Sequence, residues 1–274
     1  MLKRQRYRPS HCRGPMVTTR KVVGVAIATS AVLLASACTV AVRPPARAHS
    51  LTSRVSKIAA APSIIAVLTT KGQVLAKQNN LTAPWTIEYA GASQLAVASD
   101  NTHGPLIAVR IRTGRLLAKQ GSLNAPWTSL YTRVARFAVA SDGPHGPLVA
   151  VLRPAGQALV KQGRLNGPWT IEYTGVSQLA AASDRQNGLL LAVLTTTGGR
   201  VKVKRGSLNG SWTSEYSKVS NVAVATNPAG GPLVAVLTKT GQALVKQGSL
   251  TAPWTSEDTG SARVNVRVTP NKPR

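Results

Sequence analysis

Five tryptophans, Trp85, Trp127, Trp169, Trp212 and Trp254, are all the Trp in the chain, and successive ones lie 42, 42, 43 and 42 residues apart. Each closes the same phrase: NNLTAPWT at 79–86, GSLNAPWT at 121–128, GRLNGPWT at 163–170, GSLNGSWT at 206–213 and GSLTAPWT at 248–255. Asn124, Asn166 and Asn209 stand three residues before their Trp, and Asp100, Asp142 and Asp184 fifteen residues after the preceding one. An indole face can stack on the C–H patch of a sugar ring, while Asn and Asp exchange hydrogen bonds with its hydroxyls. Each Trp is equally suited to anchor its repeat by burying about 150–250 Å². Each Ser-Asp can serve only a local turn. Both readings stand at the level of sequence.

Catalytic chemistry has little to work with. The repeats hold two His, His103 and His145, at equivalent loop positions. A metal site wants three or four converging ligands, and no such set is visible, so no metal and no cofactor is expected. Glycoside hydrolysis needs two carboxylates at one site. Here the acids recur once per repeat: Glu88, Glu172, Glu215 and Glu257 three residues after Trp, and the Asp set fifteen after. Repetition spreads them out, and the expectation is a protein that is not an enzyme. Lys77, Lys119, Lys161, Lys204 and Lys246 each lie eight residues before Trp. A hairpin centred between residues 82 and 83 sets Lys77 opposite Glu88, which predicts a surface ion pair within each unit worth about 0.2–1 kcal/mol. Leu130 breaks that pattern in the second unit.

The elements that would position these residues follow from the period. Residues 95–131 contain four short β-type stretches separated by SDNTHG, RTG and GSLNAP, with Gly, Asn, Asp and Pro in the gaps. Each unit reads as a four-stranded antiparallel meander. Its first strand is apolar on both faces and rich in Ala, its second is apolar and bulkier, and its fourth alternates. A strand apolar on both sides must be covered on both sides, and one that alternates is covered on one. A sheet graded in this way suits a wedge about an axis. The fold class is therefore all-β, a five-bladed β-propeller of four-stranded antiparallel blades with a repeat of about 42 residues, over residues 55–268. VSKIAA at 55–60 matches VSQLAA at 176–181 and is expected as the inner strand of the first blade, with 262–268 as an edge or tail and 269–274 as a C-terminal tail. In such sheets the loops after the first and third strands share one rim. That rim carries the Ser-Asp, Asn and Trp positions.

Residues 1–48 read as an export signal, and 49–54 as a linker. Residues 1–21 carry seven Lys/Arg and no acid, 22–42 carry no charge, and Ala46-Arg47-Ala48 supplies small residues at a cleavage position. Three outcomes are open: cleavage after Ala48, lipid attachment at Cys38 within ASAC, or a retained membrane anchor. All three place the repeats outside the cytoplasm, secreted or attached to the cell surface, with the membrane reached only through this segment. Cys12 and Cys38 are the two Cys, so the repeats have no thiol chemistry. Beyond residue 48 the chain keeps 25 basic and 8 acidic residues, a net +17. Such charge favours anionic polymers, or simply a solvated surface. The basic residues are spread through all repeats, without a nucleic-acid motif, so no specific nucleic acid is expected.

The order of Gly-x-Leu, apolar strand, Lys-x-Gly, short loop and Trp, as in GQALVKQG at 156–163 with Trp169, resembles the blade of the tachylectin-type five-bladed lectin propellers. It is similar also to secreted actinobacterial propellers containing KxGxLxxxW repeats. The chain departs from the tachylectin pattern in lacking its Gly-Gly-Trp and its aromatic-rich strands. The resemblance implies binding of N-acetylated sugars between blades, without catalysis. The functional expectation is then an exported lectin-like bacterial propeller with up to five weak sites for glycans or cell-wall polysaccharide. Its alternative is a cell-surface scaffold that binds protein or anionic wall polymer through its charge.

Overall fold

A computed structural model describes residues 25–28 and 64–264, apart from 101, 142, 185–187, 228–230 and 262–263. Five four-stranded antiparallel sheets follow one another along the chain, each a simple meander. The first holds β1 (Val25–Ala28), β2 (Ile64–Leu68), β3 (Val74–Gln78) and β4 (Thr86–Tyr89). The second holds β5 (Ala92–Asp100), β6 (Gly104–Ile111), β7 (Leu116–Gln120) and β8 (Thr128–Tyr131). The third holds β9 (Arg136–Ser141), β10 (Pro147–Leu152), β11 (Ala158–Gln162) and β12 (Thr170–Tyr173), with a 3-10 turn at Gly143–His145. The fourth holds β13 (Val176–Asp184), β14 (Gly188–Thr195), β15 (Val201–Gly206) and β16 (Thr213–Tyr216). The fifth holds β17 (Val219–Thr226), β18 (Pro232–Thr238), β19 (Gln242–Gln247) and β20 (Thr255–Thr259). We call these sheets blades one to five.

The strand paired with β2 at the start of blade one is Val25–Ala28, from the uncharged segment of the N-terminal region. The expected occupant, 55–60, lies outside the described residues, as does 265–268 at the other end.

Hydrophobic patterning places the core between blades. Along β10, Leu148, Ala150 and Leu152 pack toward blade four, while Val149 and Val151 pack toward blade two. Along β14, Leu189, Leu191 and Val193 face blade three, and Leu190, Ala192 and Leu194 face blade five. Period-two alternation thus feeds two cores from one strand, which is why these strands carry no polar face. In blades three to five the second strand is the most deeply buried. The first strand, expected to be covered on both sides, is half-buried along Ala96–Ala98 and Ala180–Ala182. It is the inner edge of its sheet, and among the described residues no further strand lies beyond it. The fourth strand is the outer edge and is largely exposed.

Candidate functional site

The start of each third strand carries a register shift against the end of strand four. In blade one the partners run Val74 to Tyr89, then Leu75 to Ile87 and Ala76 to Thr86, so Glu88 is skipped. Blades two to five repeat the bulge. This overturns the expected Lys77–Glu88 surface pair. The register Leu75 to Ile87 and Ala76 to Thr86 sets Lys77 opposite its own Trp85, with the ammonium 4.7 Å from the ring centroid, and the bulge skips Glu88, whose carboxylate meets Lys119 of the next blade.

The glutamates cross the seams. Glu88 pairs with Lys119, Glu172 with Lys204 and Glu215 with Lys246, and all of these side chains are buried. Each lysine ammonium does three things at once. It meets the glutamate of the preceding blade, lies 4.9–5.2 Å over its own Trp ring, and donates to a loop carbonyl four residues on, as Lys204 does to Leu208 O at 2.7 Å. The second oxygen of each of these carboxylates, Oε1, is buried without a hydrogen-bond partner among the described residues. At the seam of blades two and three Leu130 replaces the glutamate. Lys161 there donates to Leu165 O and covers Trp169, with no carboxylate partner among the described residues. Burial lowers its pKa from the ordinary 10.5.

The tryptophans sit in the same seams. Trp127, Trp169, Trp212 and Trp254 are half-buried, and each takes an edge-on Tyr from the preceding blade, with centroids 5.2–5.5 Å apart. The indole N–H of Trp127 donates to Glu88 O and that of Trp169 to Leu130 O. These four rings therefore fasten blade to blade, and each retains a partly open surface. Trp85, in blade one, is 45% exposed.

The long-loop rim is assembled as its sequence suggests. The loop after strand one touches the loop after strand three through paired glycines. A Cβ on Gly104 would lie 2.7 Å from Gly121 O, and one on Gly146 2.3 Å from Gly163 O. Gly121 N and Gly163 N donate to Pro105 O and Pro147 O across the same junction. The loop before each Trp folds in the same way, with Ala125 N bonded to Ser122 O, Gly167 N to Arg164 O and Gly210 N to Ser207 O. Asn124, Asn166 and Asn209 are exposed on these turns. Asp100 and Asp184 end their inner strands on the same rim, paired with Gly104 and Gly188. Asp142 and Cys38 fall outside the described residues. Among the described residues no three His, Cys, Asp or Glu side chains gather as a metal site.

The rim, with its exposed Asn and half-buried Trp, offers hydrogen bonding beside an aromatic edge at three of the four described seams. What sequence reasoning missed is the interblade ion pair. Its signal was available: the Glu and Lys positions recur together, and spacing alone does not say which copy meets which.

No protein-family model matches the chain, and no curated protein does. Among solved structures it is similar to the BP39L lectin from Burkholderia pseudomallei, with a TM-score of 0.53 and 15% identity over 71% of this chain and 66% of that one. The chain thus spans just under two thirds of that lectin's length. The SapL1 lectin, solved with alpha methyl fucoside, gives a TM-score of 0.49 at 12% identity, covering 74% of this chain and 77% of that one. The lectin of Aleuria aurantia, described as a six-bladed beta-propeller with a fucose recognition mode, gives 0.45 at 14% identity, covering 73% and 75%. The likeness is one of fold, shared with the BP39L lectin.

Proposed function

We propose that the chain is an exported, non-catalytic carbohydrate-binding propeller whose sites lie on the long-loop rim, one per seam. The observation that carries this reading is the recurrence of one arrangement. At three seams an exposed Asn stands on an identically folded turn, three residues before a Trp that keeps part of its ring open. A fold by itself does not specify function, and the repeated rim is the part that can bind. Asn124, Asn166 and Asn209 would hydrogen-bond hydroxyl or amide groups, and Trp127, Trp169 and Trp212 would offer their free ring surface to C–H patches. In blades one and five Thr82 and Thr251 stand at the Asn position, so those sites would be weaker. The preference for N-acetylated sugars follows from the resemblance to tachylectin-type blades, and export from the character of residues 1–48. Shallow single sites would gain strength by acting together on a repeated glycan.

The test is a glycan array read at low ionic strength and again at about 1 M salt, where exposed charges are screened beyond about 3 Å. The array carries N-acetylated sugars, fucosides and neutral glycans. Binding to N-acetylated glycans that persists in salt, and that falls when Asn124, Asn166 and Asn209 are changed together to Ala, supports the proposal. Binding that disappears with salt, or that ignores the Asn substitutions, refutes it.

A further inference from the structure

The second rim of the molecule has a different chemistry. The turn between strands two and three bonds to the link that enters the next blade: Ala92 N to Gly72 O, Val134 N to Gly114 O, Val176 N to Gly156 O and Val219 N to Gly199 O. Turns and links therefore share one edge of the array, opposite the Asn and Trp rim. Every one of the five turns carries a cation: Lys71 in blade one, Arg112 and Arg115 in blade two, Arg153 in three, Arg200 in four and Lys239 in five. In sequence these charges look dispersed, because they recur roughly every 42 residues. The meander brings them to one side.

The links add a more specific sign. The residue just before each link donor, Ala92, Val134, Val176, Val219 and Ser261, is Gly91, Arg133, Gly175, Lys218 or Gly260, and all five have positive φ. Glycine takes that conformation freely, whereas an L side chain costs about 1–2 kcal/mol there. Arg133 has φ 53° and Lys218 φ 58°, and both are exposed. Two blades thus carry a cation, at a cost in backbone strain, where their neighbours use glycine. Strain maintained at a surface position points to a use for the side chain.

Carboxylates are scarce on this edge. Glu88, Glu172 and Glu215 are consumed in the seams, and Asp100 and Asp184 end strands on the opposite rim. Among the described residues the acids near this edge are Glu257 and Asp258 on β20. None of the turn or link cations named here forms an ion pair among the described residues.

We propose that the short-turn rim is a docking surface for an acidic polysaccharide, a linear chain bearing carboxylate or sulfate groups, gripped mainly by Arg and centred on blades two to four. The arginines match oxyanions with two parallel N–H donors. The large exposed hydrophobics, Leu81, Trp85, Ile87 and Ile171, lie on long loops and fourth strands, so the turns offer nothing to insert into a bilayer. The turns are short, and no helix or ribbon projects from them to enter a nucleic-acid groove. The inference is independent of sugar stacking on the other rim.

Heparin serves as the probe, titrated against the intact chain across a salt series. Arg133→Gly with Lys218→Gly is the informative variant, since glycine already holds three of the five equivalent positions and the fold should persist. We expect about a tenfold weaker Kd and a log Kd against log salt slope reduced by about two. Arg164→Ser, on the other rim where three counterparts are Ser, should change neither. Equal affinity in the double glycine variant overturns the proposal. So does an equal loss in Arg164→Ser, or tighter binding to phosphatidylserine vesicles or duplex DNA than to heparin at matched charge.

Discussion

Glu172 of blade three and Lys204 of blade four meet across their seam at 2.5 Å, with side chains 1% and 6% exposed. A solvent-exposed ion pair contributes about 0–1 kcal/mol, whereas removing one partner of a buried pair costs about 3–5 kcal/mol, because the other charge is left without compensation. Glu172→Ala and Lys204→Met should each destabilise by about 3 kcal/mol or more. The combined Glu172→Leu and Lys204→Met variant should return to within about 1 kcal/mol of the parent. Urea unfolding of the full cycle measures this, and single-variant losses below about 1 kcal/mol would mean the pair is solvated.

Lys161 stands at the seam where Leu130 has taken the glutamate's place. It is 5% exposed, and desolvation holds its pKa below 10.5. A basic group whose folded pKa is lowered binds fewer protons folded than unfolded, so stability rises with pH between the folded value and 10.5 and levels off above it. The penalty is full below that window. Lys161→Met removes it at every pH. The stability of the parent relative to this variant should therefore improve steadily as pH approaches 10.5. Urea midpoints at stepped alkaline pH show the slope, and a constant gap would mean the ammonium is hydrated.

Trp169 and Trp85 occupy the same repeat position in different surroundings. Trp169 is half-buried, donates to Leu130 O and meets Tyr131 edge-on, while Trp85 is 45% exposed. Trp169→Ala should cost about 3–5 kcal/mol as a truncation of packed aromatic volume. Trp85→Ala should cost about 1 kcal/mol or less, in the range of surface changes. Equal losses, read from thermal unfolding, would mean that Trp85 is held in a further seam between blades five and one.

The repeat made the five meanders legible, because turn residues and apolar strands recur at a fixed interval and each level of the pattern agrees with the next. The shared rim of Asn and Trp loops was legible for the same reason, since it follows from strand order. The partner of Glu88 was not. The observed pairs, Leu75 with Ile87 and Ala76 with Thr86, centre the hairpin on residue 81, so Lys77 falls opposite Trp85; a centre between 82 and 83 selects Lys77 for Glu88, whereas the bulge skips Glu88 and its carboxylate meets Lys119 of the next blade. The cationic rim was hidden in a related way. Lys71, Arg112, Arg153, Arg200 and Lys239 never form a run in the chain, and only the turns of the sheets bring them to one edge.

Gly146 tests whether the proposed sugar rim depends on the close approach of its two loops. Its φ is 79°, and a Cβ would stand 2.3 Å from Gly163 O, which is backbone and cannot rotate away. Gly175 has φ 68°, but a Cβ there would meet only Thr196 Oγ1 at 3.7 Å, an ordinary contact. Gly175→Ala should therefore cost about 1 kcal/mol, from backbone conformation alone. Gly146→Ala should cost at least about 2 kcal/mol, since the loops must separate as well. If the ligand lies on that rim, Gly146→Ala also weakens glycan binding at temperatures where the chain is still folded, and Gly175→Ala does not. Paired thermal unfolding and glycan titration would decide the point, and equal effects from the two substitutions would place the ligand elsewhere.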